Sequence, residues 1–344
     1  MAISTIPTRA LSEQGINFRN LIINGDMSIA QRGTSSTGIT SSGYRTCDRF
    51  LIAVENLGTW TITQDTNTPS NEGFANSLKL QCTTADASPA STDELYIYSK
   101  IEGQNLQQLN YGESGAKSLT LSFWVKSNKT GTASLNFMQR DNSKKLYTTN
   151  YSISSADTWE KKTITISGDT SGLINNDNGS GFEVFWWFNS GSSYQTGTTR
   201  NAWSSYTDAD VNVSNLGLGG STSDNISITG VQLEVGTSAS DFEFLPFDVN
   251  LNRCQRYFEF AESGYQGPVY GTASDMRVSV PFKVKKRANP TLTKISGNEN
   301  CCSSVTVAVG SIDETLGARV QGTNVFSAGA GKFFNVKFSA DSEL

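Results

Sequence analysis

Histidine is absent from the 344 residues, which removes His-based triads, imidazole general bases and His metal ligands in one step. Catalysis by this chain would have to run through paired carboxylates, Tyr, Lys, Ser-Lys or Cys chemistry. Charge is also scarce, at 17% of the residues against an average near 25%. The balance is 27 − 32 = −5, which gives no general electrostatic reason to bind nucleic acid or an anionic membrane. No run of 18 apolar residues occurs, so membrane insertion by a helix is not expected. The opening Met-Ala-Ile-Ser-Thr-Ile-Pro-Thr-Arg lacks the basic region and apolar block of a secretory signal. The five cysteines, Cys47, Cys82, Cys254, Cys301 and Cys302, form no C-x-x-C pair and are odd in number. They read as reduced core thiols, not as a disulfide framework.

What replaces charge is uncharged polarity: 45 Ser, 36 Thr and 28 Asn make about a third of the chain. The five Asn-x-Ser/Thr matches, at Asn128, Asn150, Asn178, Asn212 and Asn225, follow from that composition. The length suggests two domains. Most of the sequence reads as short alternating strands between Gly, Asn and Ser turns, with hardly any helical stripe. Leu119, Leu121, Phe123 and Val125 share one strand face, with Thr120, Ser122 and Lys126 on the other. Further strands are expected at Phe50–Val54, Trp60–Thr63, Leu78–Gln81, Leu95–Ile101, Thr132–Met138, Trp159–Ile166, Phe182–Phe188, Val211–Leu218 and Ile226–Leu233. An all-β fold follows, a jelly-roll β-sandwich and then a smaller C-terminal β domain. Residues 1–20, polar and aperiodic, read as an attachment arm, 21–247 as the jelly roll and 248–344 as the C-terminal domain. The boundary lies near Pro246-Phe247, where Asp248 can cap a short helical turn carrying Leu251, Cys254 and Phe258. In the last part Met276, Val278, Val280, Phe282 and Val284 form one face, with Pro281 marking an edge. Phe334, Val336 and Phe338 form the closing strand. The run Lys283, Lys285, Lys286 and Arg287 reads as a solvated strand end.

The densest aromatic segment sends Phe182, Val184, Trp186 and Phe188 to one face and Glu183, Phe185 and Trp187 to the other. Neither face is then ordinary solvent-facing sheet. Tyr194, Trp203 and Tyr206 follow in a Gly/Ser/Thr-rich stretch, where large aromatics on polar loops offer flat platforms with a polar handle. A sugar ring presents its C–H face to such a platform while neighbouring polar groups bond its hydroxyls. Asp208 and Asp210 are the matching polar neighbours, and Glu183 can approach them across the sheet. Two carboxyl groups at a set separation would also suit glycoside hydrolysis. Gly217-Leu218-Gly219-Gly220 leads into a strand, not a helix, and is no phosphate loop.

Several segments carry a resemblance when taken in order: Asn20-Leu21-Ile22-Ile23-Asn24-Gly25-Asp26-Met27, Ala30-Gln31-Arg32-Gly33, Cys47-Asp48-Arg49-Phe50, Leu121 to Ser127, Val231 to Gly236, Phe242-Glu243 and Arg253 to Phe258. This order resembles tail-fibre and related virion proteins of bacteriophages, and Phe282 to Pro290 with Phe338 to Leu344 resembles the small β domain that often ends them. The central part is similar to jelly-roll carbohydrate-binding modules, where an early Asn-Gly-Asp and a late Asp-bearing strand hold a structural calcium. Here the late strand has Thr229 or Gly230 where those modules tend to carry Asp, leaving Asp26 and Glu234 as candidate ligands. The resemblance implies a non-enzymatic, homotrimeric component of the phage particle, assembled in the bacterial cytoplasm. It would bind a host-surface glycan or receptor and join other virion proteins through residues 1–20. A head-decoration or joint protein with purely structural contacts, and a glycan depolymerase using carboxylates, are the alternatives.

Overall fold

The computed structural model describes residues 18–141, 143–269, 273–299, 304–309, 315–325 and 329–344. Most of the attachment arm, Cys301 and Cys302, and the side chains of Met276 and Phe334 lie outside what it describes. The chain divides into two compact units, Met1–Leu245 and Pro246–Leu344.

The first unit is a jelly-roll β-sandwich of antiparallel strands: β1 (Ser35–Tyr44), β2 (Leu51–Asp65), β3 (Ser77–Thr84), β4 (Glu94–Glu102), β5 (Leu119–Ser127), β6 (Gly131–Gln139), β7 (Lys145–Ile153), β8 (Glu160–Ile166), β9 (Ser180–Ser190), β10 (Trp203–Ser205) and β11 (Asn225–Val235). The hydrogen-bonded order is β10-β7-β6-β9-β4-β2-β3-β11-β5-β8, with β1 on β2. Strand β2 makes one ladder into two layers. Leu51–Glu55 pair with β4, whereas Thr59–Asp65 pair with β3, and between them Asn56 and Gly58 have φ of 50° and 70°. Left-handed residues bend a strand without ending it, so what reads as two strands in the sequence is one that turns a corner. The layers then face each other. Phe123 of β5 meets Trp186 of β9 at 5.8 Å and Tyr151 of β7 at 5.2 Å between ring centroids. Alternation supplies the filling, with Leu119, Leu121, Phe123 and Val125 from one layer and Phe182, Val184, Trp186 and Phe188 from the other in one buried cluster.

The segment before β1 closes a gap in β11, whose register slips between Thr229 and Gln232. The Asn20 side-chain amide donates to the Val231 carbonyl and its Oδ1 accepts from the N–H groups of Ile22 and Leu233. Arg19 and Asn20 donate their backbone N–H groups to the Glu243 carboxylate, so these two residues belong to the sandwich. Gly25 accepts from Val231 N–H at 2.9 Å, and a Cβ there would sit 2.0 Å from the Val231 oxygen. Gly25→Ala is therefore expected to lower stability by about 1–3 kcal/mol, the usual cost of overpacking, read from the midpoint of denaturant unfolding; an unchanged midpoint would contradict this packing. Asn24 bonds Ile29 through both side-chain atoms and the Asp48 carbonyl through Nδ2, and Asp48 accepts from Gln31. The Asn24, Gln31 and Asp48 motifs are thus one structural clasp.

Val211–Leu218 forms no strand. Its alternation arises because Val211, Leu216 and Leu218 plug apolar clusters from an irregular loop; periodicity there reports burial without a ladder. Strand β1, by contrast, is Ser-, Thr- and Gly-rich with one buried residue, Ile39, and has no apolar alternation to reveal it.

The second unit opens with α1 (Phe247–Gln255) and continues as β12 (Phe258–Val269), β13 (Ala273–Pro281), β14 (Thr291–Glu299), β15 (Ser304–Val309), β16 (Gly317–Val325) and β17 (Gly329–Asp341). Asp248 stands in the first turn of α1, and Pro246 occupies the cap position. Two three-stranded sheets, β12-β17-β14 and β13-β16-β15, contribute Val280, Phe282, Val320, Val336 and Phe338 to a shared core. Pro281 ends the edge strand β13, where no ladder N–H is lost. Lys286 departs from the expected solvated strand end. It is buried, with its ammonium 3.4 Å from the equally buried Glu259 carboxylate and donating to the Gln255 carbonyl. Its isolation inside a run of basic residues hid that pairing. Cys47, Cys82 and Cys254 are buried, and burial pushes the Cys47 thiol far up from its ordinary range. No helix among the described residues is long and apolar enough to cross a membrane.

Candidate ligand-binding groove

The layer containing β4, β9, β6 and β7 has a second apolar face, turned away from the sandwich core. Pairing aligns Tyr96 with Trp187, Tyr98 with Phe185 and Lys100 with Glu183 across β4 and β9, while Asn136 and Met138 of β6 lie beside Phe185 and Glu183. Phe185, Trp187, Met138, Leu146 and Val211 are buried there as a separate cluster, with Tyr96, Tyr98 and Tyr194 packed on it half-exposed. Tyr98 stacks on Phe185 at 5.1 Å and 11°, and Tyr96 lies 4.2 Å from Trp187. The tyrosines are thus a raised platform on a buried aromatic floor.

The loop after β9 forms one wall. Its 3-10 turn Ser192–Tyr194 places Tyr194 5.6 Å from Trp187. Farther on, Tyr206 donates its hydroxyl to Asp208 at 2.7 Å and lies under the Lys144 ammonium at 5.6 Å. The loop is held by Asp210, which is 2% exposed, accepts from Thr198 N–H at 2.7 Å and pairs with Arg200 at 2.6 Å. Together Glu94, Tyr96, Asn136, Arg140, Lys144, Tyr194, Tyr206 and Asp208 surround a cavity of about 220 Å³ over the Phe185 and Trp187 floor. That is smaller than the roughly 300–1,000 Å³ of pockets that engulf a whole ligand, so it suits one unit of an extended ligand.

Charges sit at the two ends. At one, burial pushes the Glu94 carboxyl up to about 7, with a hydrogen bond from Tyr194 opposing the shift and the carboxylates of Glu55 and Asp208 adding to it. At the other, Glu183 is 1% exposed and bound by Arg140 Nε at 2.8 Å and the Ser180 hydroxyl at 3.0 Å, with Lys100 at 4.0 Å. Burial, then the Glu183 charge, pushes the Tyr98 phenol up to about 12. The Tyr206 phenol is raised by burial and by its bond to Asp208. Tyr96 and Tyr98 therefore keep their protons and can donate to a ligand oxygen at neutral pH, while Tyr194 and Tyr206 spend theirs on Glu94 and Asp208.

Of the residues singled out from sequence, Tyr194, Tyr206 and Asp208 come together here. Trp203 does not join them: it lies on the core face of the same layer, packed against Tyr111, Tyr147 and Phe182, with its indole N–H donating to the Ser167 carbonyl. Asp210 is turned inward as the staple of the loop. Glu94, Tyr96, Tyr98, Arg140 and Lys144 were not singled out, although the alternation of Glu94, Tyr96, Tyr98 and Lys100 against Leu95 and Ile97 carries the signal. A larger hollow of about 410 Å³ in the second unit is lined by Glu262, Ser263, Ser296, Gly297, Asn335, Val336 and Lys337. Among the described residues its lining holds no aromatic side chain, and its charges pair with each other, Lys337 with Glu262 at 3.6 Å.

The proposed calcium ligands do not form a site. Asp26 Oδ1 accepts from the Ser28 N–H and hydroxyl, and Glu234 accepts from Gln232, from Ser240 N–H and from the Ser240 hydroxyl. Each carboxylate closes its own loop, and no cluster of three or more metal-ligating side chains occurs among the described residues. These residues do not fit a calcium ion.

No family model and no curated protein matches the sequence. Among solved structures, the chain is similar to the enzymatically active domain of tailspike protein 4 of bacteriophage CBA120, with 13% identity, a TM-score of 0.33, and 64% of this chain and 22% of that one covered. It thus spans about a fifth of that structure's length. The module TmCBM61 in complex with β-1,4-galactotriose is 9% identical with a TM-score of 0.32, covering 63% of this chain and 99% of that one. The N-terminal cellulose-binding domain of β-1,4-glucanase C from Cellulomonas fimi is 7% identical with a TM-score of 0.29, covering 61% and 100%.

Proposed function

We propose that this chain is a non-catalytic, fibre-like virion protein of a bacteriophage that binds a host-surface glycan through the groove on β4, β9 and β6. The observation that carries the binding is the half-exposed tyrosine platform over Phe185 and Trp187, rimmed by carboxylates and cations. A sandwich layer needs one apolar face, and this layer carries a second one with an open cavity over it. Tyrosines stack on the C–H faces of sugar rings while Glu94, Asp208, Asn136 and Arg140 bond the ring hydroxyls. A site holding one sugar unit is weak, so useful affinity comes from several copies on one particle. The virion role, the homotrimer and the attachment through residues 1–20 rest on the ordered sequence motifs that resemble phage fibres.

Glycan cleavage is the second reading, favoured by one observation: Glu94, a carboxyl that keeps its proton near neutral pH, shares the cavity with Asp208. The full chain, incubated with surface polysaccharide of a susceptible host, is expected to be retained on the polymer without releasing reducing ends. Release that Glu94→Gln abolishes would make the protein a depolymerase, and no retention at all would remove the glycan reading. Light scattering of the full chain is expected to give a trimer.

A further inference from the structure

The groove has a charge requirement as well as an aromatic one. We propose that it selects an anionic glycan, with the guanidinium of Arg140 receiving a sugar carboxylate; this rests on the groove being a glycan site. Arg140 follows β6 and lines the cavity beside Met138 and Phe185. Its Nε is spent on Glu183 at 2.8 Å. Glu183 is itself fixed by the Ser180 hydroxyl and lies on the buried strand β9, so the plane of the guanidinium is set by a rigid partner. Among the described residues, Glu183 at Nε is the one hydrogen-bond acceptor of the Arg140 guanidinium. A guanidinium carries five N–H donors in a planar fork, and one held at Nε presents the rest ready to bind a planar anion with two parallel hydrogen bonds.

The local charge balance points the same way. Glu183 contributes one negative charge, while Arg140 and Lys100 contribute two positive ones within ion-pair reach of it; Lys144, over the Tyr206 ring, and Asp208 oppose each other elsewhere on the cavity wall. A ligand anion completes that balance. The half-exposed Tyr98, stacked on Phe185 and 5.2 Å from the Lys100 ammonium, supplies a ring platform on β4, beyond β9.

The opposite end modulates how tightly an anionic ligand is held. Glu94 is faced by Glu55 of β2, Tyr96 of β4, Tyr194, Tyr206 and Asp208 of the loop after β9, with Arg140 and Lys144 across the cavity. As pH falls through about 7, Glu94 gains a proton and stops repelling an anionic ligand. Affinity for an acidic glycan therefore rises on acidification, by about two- to fivefold at low salt. A neutral glycan meets no such change in repulsion.

The test is calorimetric titration of the full chain with oligogalacturonate and oligoglucuronate, with the same oligomers after carboxyl reduction, and with a sulfated neutral oligosaccharide, at pH 6 and 8. The uronates are expected to bind roughly ten- to a hundredfold more tightly than their reduced forms, and more tightly at pH 6. Arg140→Lys keeps the charge and loses the fork; it is expected to weaken the uronates much more than the reduced oligomers and so to erase most of the preference. Should that variant fail to fold, the wild-type comparison of native and reduced oligomers decides alone. Equal affinity for both, lost together in Tyr206→Ala, would overturn the anionic selection and leave the glycan reading standing. Preference for the sulfated oligosaccharide would overturn the carboxylate assignment, and no binding to any of them would overturn both.

Discussion

Trp186→Ala is expected to cost roughly 3–5 kcal/mol of stability, the range for removing a fully buried large aromatic, whereas Trp187→Ala, buried beneath the groove, should add a loss of ligand binding to its loss of stability. The two residues are adjacent in β9 and face opposite ways. Trp186 is completely buried in the sandwich, 6.4 Å from Phe50, just before β2, and 5.8 Å from Phe123 of the facing layer. Removing it leaves a cavity between layers that a rigid sheet pair cannot close. Trp187 supports Tyr96 and Tyr194 from beneath the groove, and its loss lets that platform sink toward the floor. Denaturant unfolding of both variants, with glycan titration of the folded protein, separates the effects. Equal destabilisation without loss of binding in Trp187→Ala would mean that its cluster is a second structural core.

The second large effect lies in the C-terminal unit. Glu259→Ala is expected to destabilise that unit by about 3–5 kcal/mol, because it leaves the Lys286 ammonium buried without its counter-ion. Burial already draws Lys286 down to about 8 despite the opposing pull of Glu259, which shows the cost of keeping the charge there. Glu259 also accepts from the Lys283 N–H at 3.2 Å, so the carboxylate ties the segment after β13 to β12. The double variant Glu259→Leu with Lys286→Met should recover most of the loss, since apolar residues of similar volume replace a buried pair at little net cost. A thermal melt following the C-terminal transition reads both. Failure of the double variant to recover would mean that the hydrogen bonds to Lys283 and Gln255, not charge pairing, hold the segment.

Alternation made most strands of the sandwich legible because each turns apolar side chains to the sandwich core. It failed where burial and ladder part company. Val211, Leu216 and Leu218 alternate and are buried without pairing, while β1 pairs along its length with almost nothing buried. The corner in β2 was invisible because Asn56 and Gly58, the residues that let a strand bend, are also those that end one. The groove was legible in part. Tyr194, Tyr206 and Asp208 stand out as aromatics and acid on a polar loop, but Trp203 looks the same in sequence and goes to the other face through its three-residue strand. Tyr96 and Tyr98 were hidden inside a regular strand, and nothing local says that its second face is an open groove. Arg140 gains its meaning only from Glu183, 43 residues away in sequence.

The most direct measurement is the affinity of the full chain for host-surface polysaccharide in wild type, Tyr96→Ala and Tyr206→Ala. Each substitution is expected to weaken binding by about 1–3 kcal/mol per site, by analogy with base stacking on aromatic side chains, and to leave the melting temperature nearly unchanged because both rings lie on the groove's surface. Wild-type binding that neither substitution weakens would place the glycan site elsewhere and contradict the account.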